Sequence, residues 1–263
     1  MKLIQMVVLS AAVACAMHAS ATPMCQIKSA NDKIPLLELY TSEGCSSCPP
    51  ADRFVSALHT SGYAPGGVTP LAFHVDYWDY IGWEDRFAQA TFTQRQRAIA
   101  ATNHLNTIYT PQFVVDGQDV RRWFSSSKKV IDNLDNIRQS KPGAVILLDL
   151  EQKSSVLRVS ANVRITDTSA LELQPALYLA LVENDLDVDI QRGENEGKKL
   201  HHDNVVRSLV GPFSANSEGV IQLTHEIVLA RDYNPQQLSL AAFVQTLEGG
   251  LVLQSVASPL CAP

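Results

Sequence analysis

A chain of 263 residues that is 46% hydrophobic and 18% charged has room for one large domain or two modest ones, and enough apolar content for a packed core, which excludes general disorder. Its formal net charge of −6, without any basic stripe interleaved with aromatics, argues against nucleic acid as a partner. Past the N-terminus, no stretch approaches the ~20 apolar residues of a membrane-spanning helix.

Lys2, the apolar run Leu3 to Met17 and the small residues Ala19-Ser20-Ala21 read as a signal peptide over residues 1–21. The mature chain then begins near Thr22 and is periplasmic or secreted. A lipoprotein site at Cys15 is disfavoured by Ala12, where a large aliphatic residue is usual. With Cys15 removed, four cysteines remain: Cys25, Cys45, Cys48 and Cys261. An even number in an exported chain suits an oxidising compartment. Cys25 and Cys261, near opposite ends, are expected to form a disulfide.

Leu36 to Tyr40 has the length and apolarity of a short buried strand. A turn, Thr41 to Gly44, leads to Cys45-Ser46-Ser47-Cys48. Pro49 and Pro50 suit a first helical turn, and Phe54, Val55 and Leu58 follow at helical spacing. The cysteines are thus expected at a strand-to-helix junction, where unpaired N–H groups and the helix dipole favour a thiolate. The spacing lets Cys48 close a disulfide with Cys45 or resolve a mixed one. A redox pair, a static disulfide and half of a zinc site all fit this spacing.

Val68 to Val75 reads as a second strand, running into the aromatic and acidic stretch His74 to Trp83. Loops past strand ends build sites in open α/β sheets. His74, Asp76 and Trp78 therefore form either a wall beside the cysteines or an aromatic cap on the core. Glu84 to Asn103 reads as one or two helices. Thr110-Pro111 precedes a strand ending at Asp116-Gly117, Val120 to Phe124 is the expected returning strand, and Ser125 to Ile137 a closing helix. This order, β-α-β-α-β-β-α, describes a compact α/β domain over residues 22–140. After Lys141-Pro142-Gly143 the texture changes to β-rich runs separated by turns, as in the alternating Val156 to Val163. Residues 141–263 are expected to form a sandwich-like domain. Within it, Asp189 to Arg207 reads as a charged, solvated loop. His201 and His202 permit metal binding in principle, but adjacent strand residues point apart.

A strand, a C-x-x-C at a helix start and a later Thr-Pro before a strand resemble the thioredoxin fold. More specifically, ELYTSEGCSSCPPAD, LAFHVDYWDYIGW, YTPQFVVDG and GENEGKKLHHDNVVR resemble the signature stretches of a family of exported bacterial proteins. That family is described as having a thioredoxin-like domain, a β-rich C-terminal subdomain and no assigned function. The resemblance covers most of the mature chain. It implies an α/β fold class, a thioredoxin-like domain followed by a β-rich one. It also implies Cys45 as nucleophile, Cys48 as resolving thiol, and Thr110-Pro111 as a cis bond whose proline faces substrate. Glu38 is the nearest counterpart to the buried acid of thioredoxins, one residue out of place.

The leading functional expectation is an exported thiol–disulfide oxidoreductase without a cofactor, acting with protein thiol or disulfide substrates and a redox partner. The alternatives are a Cu(I)-type metal-binding or delivery protein using the two thiolates with His74 or Asp76, and a non-catalytic binding module with a structural disulfide.

Overall fold

The structure, a computed structural model, describes residues 24–58, 63 and 66–260. The expected signal peptide and Cys261, and with it the Cys25–Cys261 bridge, lie outside the described residues.

The chain runs through β1 (Met24–Lys28), β2 (Leu36–Thr41), α1 (Pro49–Ser56), β3 (Thr69–His74), α2 (Ala90–Thr102), β4 (Gln112–Val115), β5 (Gln118–Asp119) and α3 (Lys128–Arg138). It continues with β6 (Ala144–Lys153), β7 (Val156–Ile165), β8 (Pro175–Glu183), β9 (Leu186–Asp189), β10 (Lys199–His202), β11 (Val205–Ser214), β12 (Val220–Val228), β13 (Leu238–Thr246) and β14 (Val252–Pro259). One antiparallel sheet has the order β1-β6-β7-β12. A second, of eight strands, has the order β14-β13-β8-β11-β3-β2-β4-β5, and β9 and β10 form a separate hairpin.

This arrangement corrects the expected fold class. The chain is mostly β, a β-rich sandwich, and not a thioredoxin-like α/β domain followed by a separate β-rich one. The strands β2 to β5, expected to form their own small sheet, occupy one end of the eight-stranded sheet, and β8, β13 and β14 continue it. The link is β11, which runs parallel to β3 with Val205 opposite Ala72 and antiparallel to β8 along most of its length.

Burial explains each layer. All six residues of β2 are buried, as a central strand with both faces covered requires. On one face Leu37, Leu39, Phe113 and Val115 meet Ala51 and Val55 of α1 and Val130 and Leu134 of α3. On the other, Tyr40 and Phe73 meet Phe92 and Ile99 of α2 together with Val182 and Phe243 from β8 and β13. The four-stranded sheet covers the rest. Ile146, Leu148, Val159 and Val163 pack on Leu177, Leu179, Leu181, Leu240 and Ala242. The alternation in β6 and β7 is that of strands with one face inward.

Val120 to Phe124 does not return as a strand. Arg122 adopts a left-handed conformation (φ 56°) and turns Trp123 under Phe113, with ring centroids 4.9 Å apart. The pairing strand is the two-residue β5.

Because Leu36, Tyr40 and Phe73 are covered by β8 and β13 residues, a fragment ending at Ser140 exposes that face and the β11 edge of β3. Such a fragment is expected to show no cooperative transition in near-ultraviolet circular dichroism, whereas the chain continued to its C-terminus melts cooperatively. A cooperative melt of the fragment would contradict this packing.

Candidate functional site

Cys45 and Cys48 are joined by a disulfide, with Cα atoms 5.4 Å apart. The Cys48 N–H donates to the Cys45 carbonyl (3.1 Å), and the Ala51 N–H to the Cys48 carbonyl (2.8 Å). The four residues are thus a turn feeding α1, whose first positions are Pro49 and Pro50. Ser46 and Ser47 are exposed, whereas both cysteines are 0% exposed. A disulfide sulfur carries no proton, so it is the Ser47 hydroxyl that donates to Cys45 Sγ (3.4 Å).

The expected wall residues separate into distinct roles. Trp78 stands beside the cysteine turn: a Cβ on Gly44 would lie 3.2 Å from Trp78 Cβ. Its indole N–H donates to Thr110 Oγ1 (2.7 Å), so Trp78 ties the cysteine turn to the Thr110–Pro111 loop, whose peptide bond is cis. Asp76 accepts a hydrogen bond from Thr93 of α2 (2.5 Å). His74 is fully buried at the end of β3, with Nδ1 2.6 Å from Asp85 Oδ2. Glu38 faces α2, not the cysteines. It takes two hydrogen bonds from Arg95 (2.8 and 2.9 Å) and one from the Tyr40 hydroxyl (2.8 Å).

Beside the disulfide lies a buried polar cluster that no single sequence motif displays. Glu43 stands two residues before Cys45. Asp52 stands one helical turn after Cys48, on the same face of α1. His202 comes from the end of β10, with its ring edge-on to that of His74 at 4.9 Å between centroids. Its Nε2 is 3.5 Å from Glu43 Oε1 and its Nδ1 3.9 Å from Asp52 Oδ2. Those are ion-pair distances without a hydrogen bond, and both ring nitrogens of His202, His74 Nε2 and Glu43 Oε1 have no hydrogen-bond partner. The other Glu43 oxygen accepts from the Trp83 indole (2.7 Å), and Asp52 accepts from Thr41 (2.8 Å). Asp85 also takes the backbone N–H of Glu43 (2.9 Å). Among the described residues, no three of His, Cys, Asp and Glu are grouped to hold a metal ion.

Burial shapes the titration of Asp52, His74 and Asp85. It pushes the Asp52 carboxyl up, against the pull of His202 and His74. Burial also opposes charge on His74 and Asp85, but their mutual attraction and hydrogen bond outweigh it. His74 is held above its ordinary value and Asp85 below its own.

The hairpin of β9 and β10 reaches the cysteines as well. Glu194 Oε2 accepts the Ser46 N–H (3.0 Å), and Asn195 Nδ2 donates to the carbonyls of Glu43 (2.8 Å) and Cys45 (3.0 Å). The segment expected as a solvated loop is therefore hydrogen-bonded to the backbone of the cysteine turn. Within β10, His201 is exposed, bonded to Asp187 and Asp203, while His202 is buried, as strand alternation requires. Among the described residues, no helix is long and apolar enough to cross a membrane.

The His74–Asp85 pair carries a pH signature. Its stabilisation is complete between about pH 4 and pH 6.5. It is lost as pH rises through the raised His74 value, or falls through the lowered Asp85 value. His74→Leu is expected to cost about 3–5 kcal/mol at pH 6, the loss typical of breaking a buried pair, and less at pH 9. Urea unfolding of both proteins at the two pH values measures it, and a cost independent of pH would contradict the pairing.

The fold has likenesses among solved structures of distant sequence. Protein AGR_C_4864 from Agrobacterium tumefaciens superposes with a TM-score of 0.62 at 20% identity, covering 89% of this chain and 99% of that one. HBP35 of Porphyromonas gingivalis superposes with a TM-score of 0.64 at 16% identity, covering 88% of this chain and 76% of its own. At such identities the likeness concerns the fold alone. No curated protein matches the chain in sequence. Residues 36–245, which hold the cysteine turn, the buried cluster and the β9–β10 hairpin, match the model of the family described as Protein of unknown function (DUF1223), and the chain belongs to that family.

Proposed function

We propose that the protein is an exported thiol–disulfide oxidoreductase working through Cys45 and Cys48. The observation that carries this reading is the buried cluster of Glu43, Asp52, His74, Asp85 and His202 beside a disulfide closed over two intervening residues. A bridge serving only as a staple needs no titratable neighbours. Burying five of them, with four polar atoms left without hydrogen bonds, costs stability. Groups held in such settings concentrate at functional sites.

In the reduced state Cys45, at the turn leading into α1, is the nucleophile. Its thiolate attacks a substrate disulfide, forming a mixed disulfide and releasing one substrate thiolate. Cys48 then loses its proton and attacks Cys45 Sγ, releasing the second substrate thiolate and re-forming the Cys45–Cys48 bond. Two electrons pass to the substrate, and each substrate thiolate takes up a proton. Asp52, one helical turn after Cys48 and with its carboxyl pushed up by burial, is the group we assign to take up the proton given by Cys48. Protein disulfides or dithiols are the substrate class, and a second thiol protein resets the pair.

The reduction potential of Cys45–Cys48 in a glutathione or dithiothreitol series tests this proposal. A value above about −280 mV fits exchange chemistry, whereas a pair still oxidised below about −300 mV is a structural bridge. Cys45→Ala is expected to abolish insulin reduction. Cys48→Ser is expected to retain the first attack and accumulate mixed disulfides, visible by mass spectrometry without reductant.

A further inference from the structure

We infer that the tip of the β9–β10 hairpin is a latch that controls access to the Cys45–Cys48 disulfide. The inference takes its use from the redox reading above, but its test does not depend on that reading.

Two successive residues grip the cysteine turn, and the glycine before them packs beside it. Gly193, at φ 81°, lies against Trp83, so closely that a Cβ there would stand 3.1 Å from Trp83 Cβ. Glu194 takes the N–H of Ser46, and Asn195 holds the carbonyls on either side of Gly44. Asn195 is fully buried at this contact, and its own carbonyl oxygen accepts from Lys198 Nζ (2.8 Å). With these contacts in place neither sulfur is exposed to solvent. In-line attack on Cys45 Sγ needs an open approach to the sulfur, so the tip must lift first.

The hairpin is built to lift without unfolding. Its apolar base, Val188, Ile190 and Leu200, packs with Phe87 and Val205 in a cluster of its own. The tip beyond is closed by the Ile190–Lys198 backbone bond (2.9 Å), and its residues Glu194, Glu196 and Lys198 are exposed. What the tip loses on opening is a set of hydrogen bonds to the cysteine turn, each worth little net because water replaces it. Gly193 and Gly197, both at positive φ, bracket the gripping residues. Charge gives the latch a direction. Reduction puts a thiolate on the turn whose Ser46 N–H the Glu194 carboxylate holds, and like charges gathered on one turn repel. The oxidised pair therefore favours the closed tip and the reduced pair the open one.

The test is the rate at which dithiothreitol reduces the protein's own disulfide. One dithiothreitol sulfur attacks Cys45 Sγ and Cys48 leaves as a thiolate. The second sulfur then displaces Cys45, giving cyclic dithiothreitol disulfide and a two-electron-reduced protein. Thiols are counted over time by alkylation and mass spectrometry. Asn195→Ala, which removes both carbonyl contacts, is expected to be reduced about tenfold faster than wild type. A rate within twofold of wild type in a folded variant overturns the latch. If that variant does not fold, amide exchange of the wild type decides. Slow exchange at Ser46 in the oxidised protein that speeds at least tenfold after reduction supports the latch, and equal protection in both states overturns it. Insulin turnover reports separately on the redox proposal, so either idea can fail alone.

Discussion

The molecule depends on the seam between β3 and β11. A strand inside a sheet must pair along both edges, because a buried and unpaired backbone group costs as much as a lost hydrogen bond. β2 satisfies one edge of β3. The other is satisfied where Val205 lies opposite Ala72 and the Ala72 N–H donates to the Asn204 carbonyl (2.7 Å). This short parallel contact merges two halves of the chain into one sheet, and it also positions the site. β10 ends only three residues before Val205, with Asn204 in a left-handed turn between them (φ 59°). Once Val205 is set against β3, His202 is delivered to His74, and the hairpin above it is delivered to the cysteine turn.

The cluster so assembled is costly. Carboxylates and imidazoles leave water for a place where few donors answer them, and exchanging such groups for apolar residues often stabilises a protein. The neighbouring ion pairs show what a structural solution looks like. Lys33 meets Asp116 at 2.7 Å, and Arg95 holds Glu38 with two donors while lying over the rings of Tyr178 and Phe243. The groups around His202 stand at longer distances, with less hydrogen bonding.

Much of this was legible in the sequence and some was not, for identifiable reasons. The strand, turn and prolines around Cys45 and Cys48 announce their local structure, and the alternation of β6 and β7 announces theirs. β11 hides because its period is broken. Its register shifts between Val206 and Ser208 and again between Val210 and Phe213, where Gly211-Pro212 reads as a stop. With β11 unseen, the two halves look like separate domains and the fold class comes out wrong. The cluster hides for another reason. Glu43, Asp52 and Asp85 look like surface acids in a chain with 27 acidic residues, and only tertiary placement buries them. One clue was present: in a strand through His201-His202, one imidazole has to face inward.

The chain contains three tryptophans, and every indole N–H is committed to the region around the disulfide. Trp78 donates to Thr110, Trp83 to Glu43 and Trp123 to the Pro111 carbonyl (3.3 Å). The four-stranded sheet and the far end of the large one hold none. The tryptophan emission of the whole protein is therefore a local signal. Disulfides quench nearby indoles, so any breaking of the Cys45–Cys48 bond or lifting of Gly193 from Trp83 would be read in that emission. The molecule carries its own optical gauge of the state of its cysteines, with no label attached.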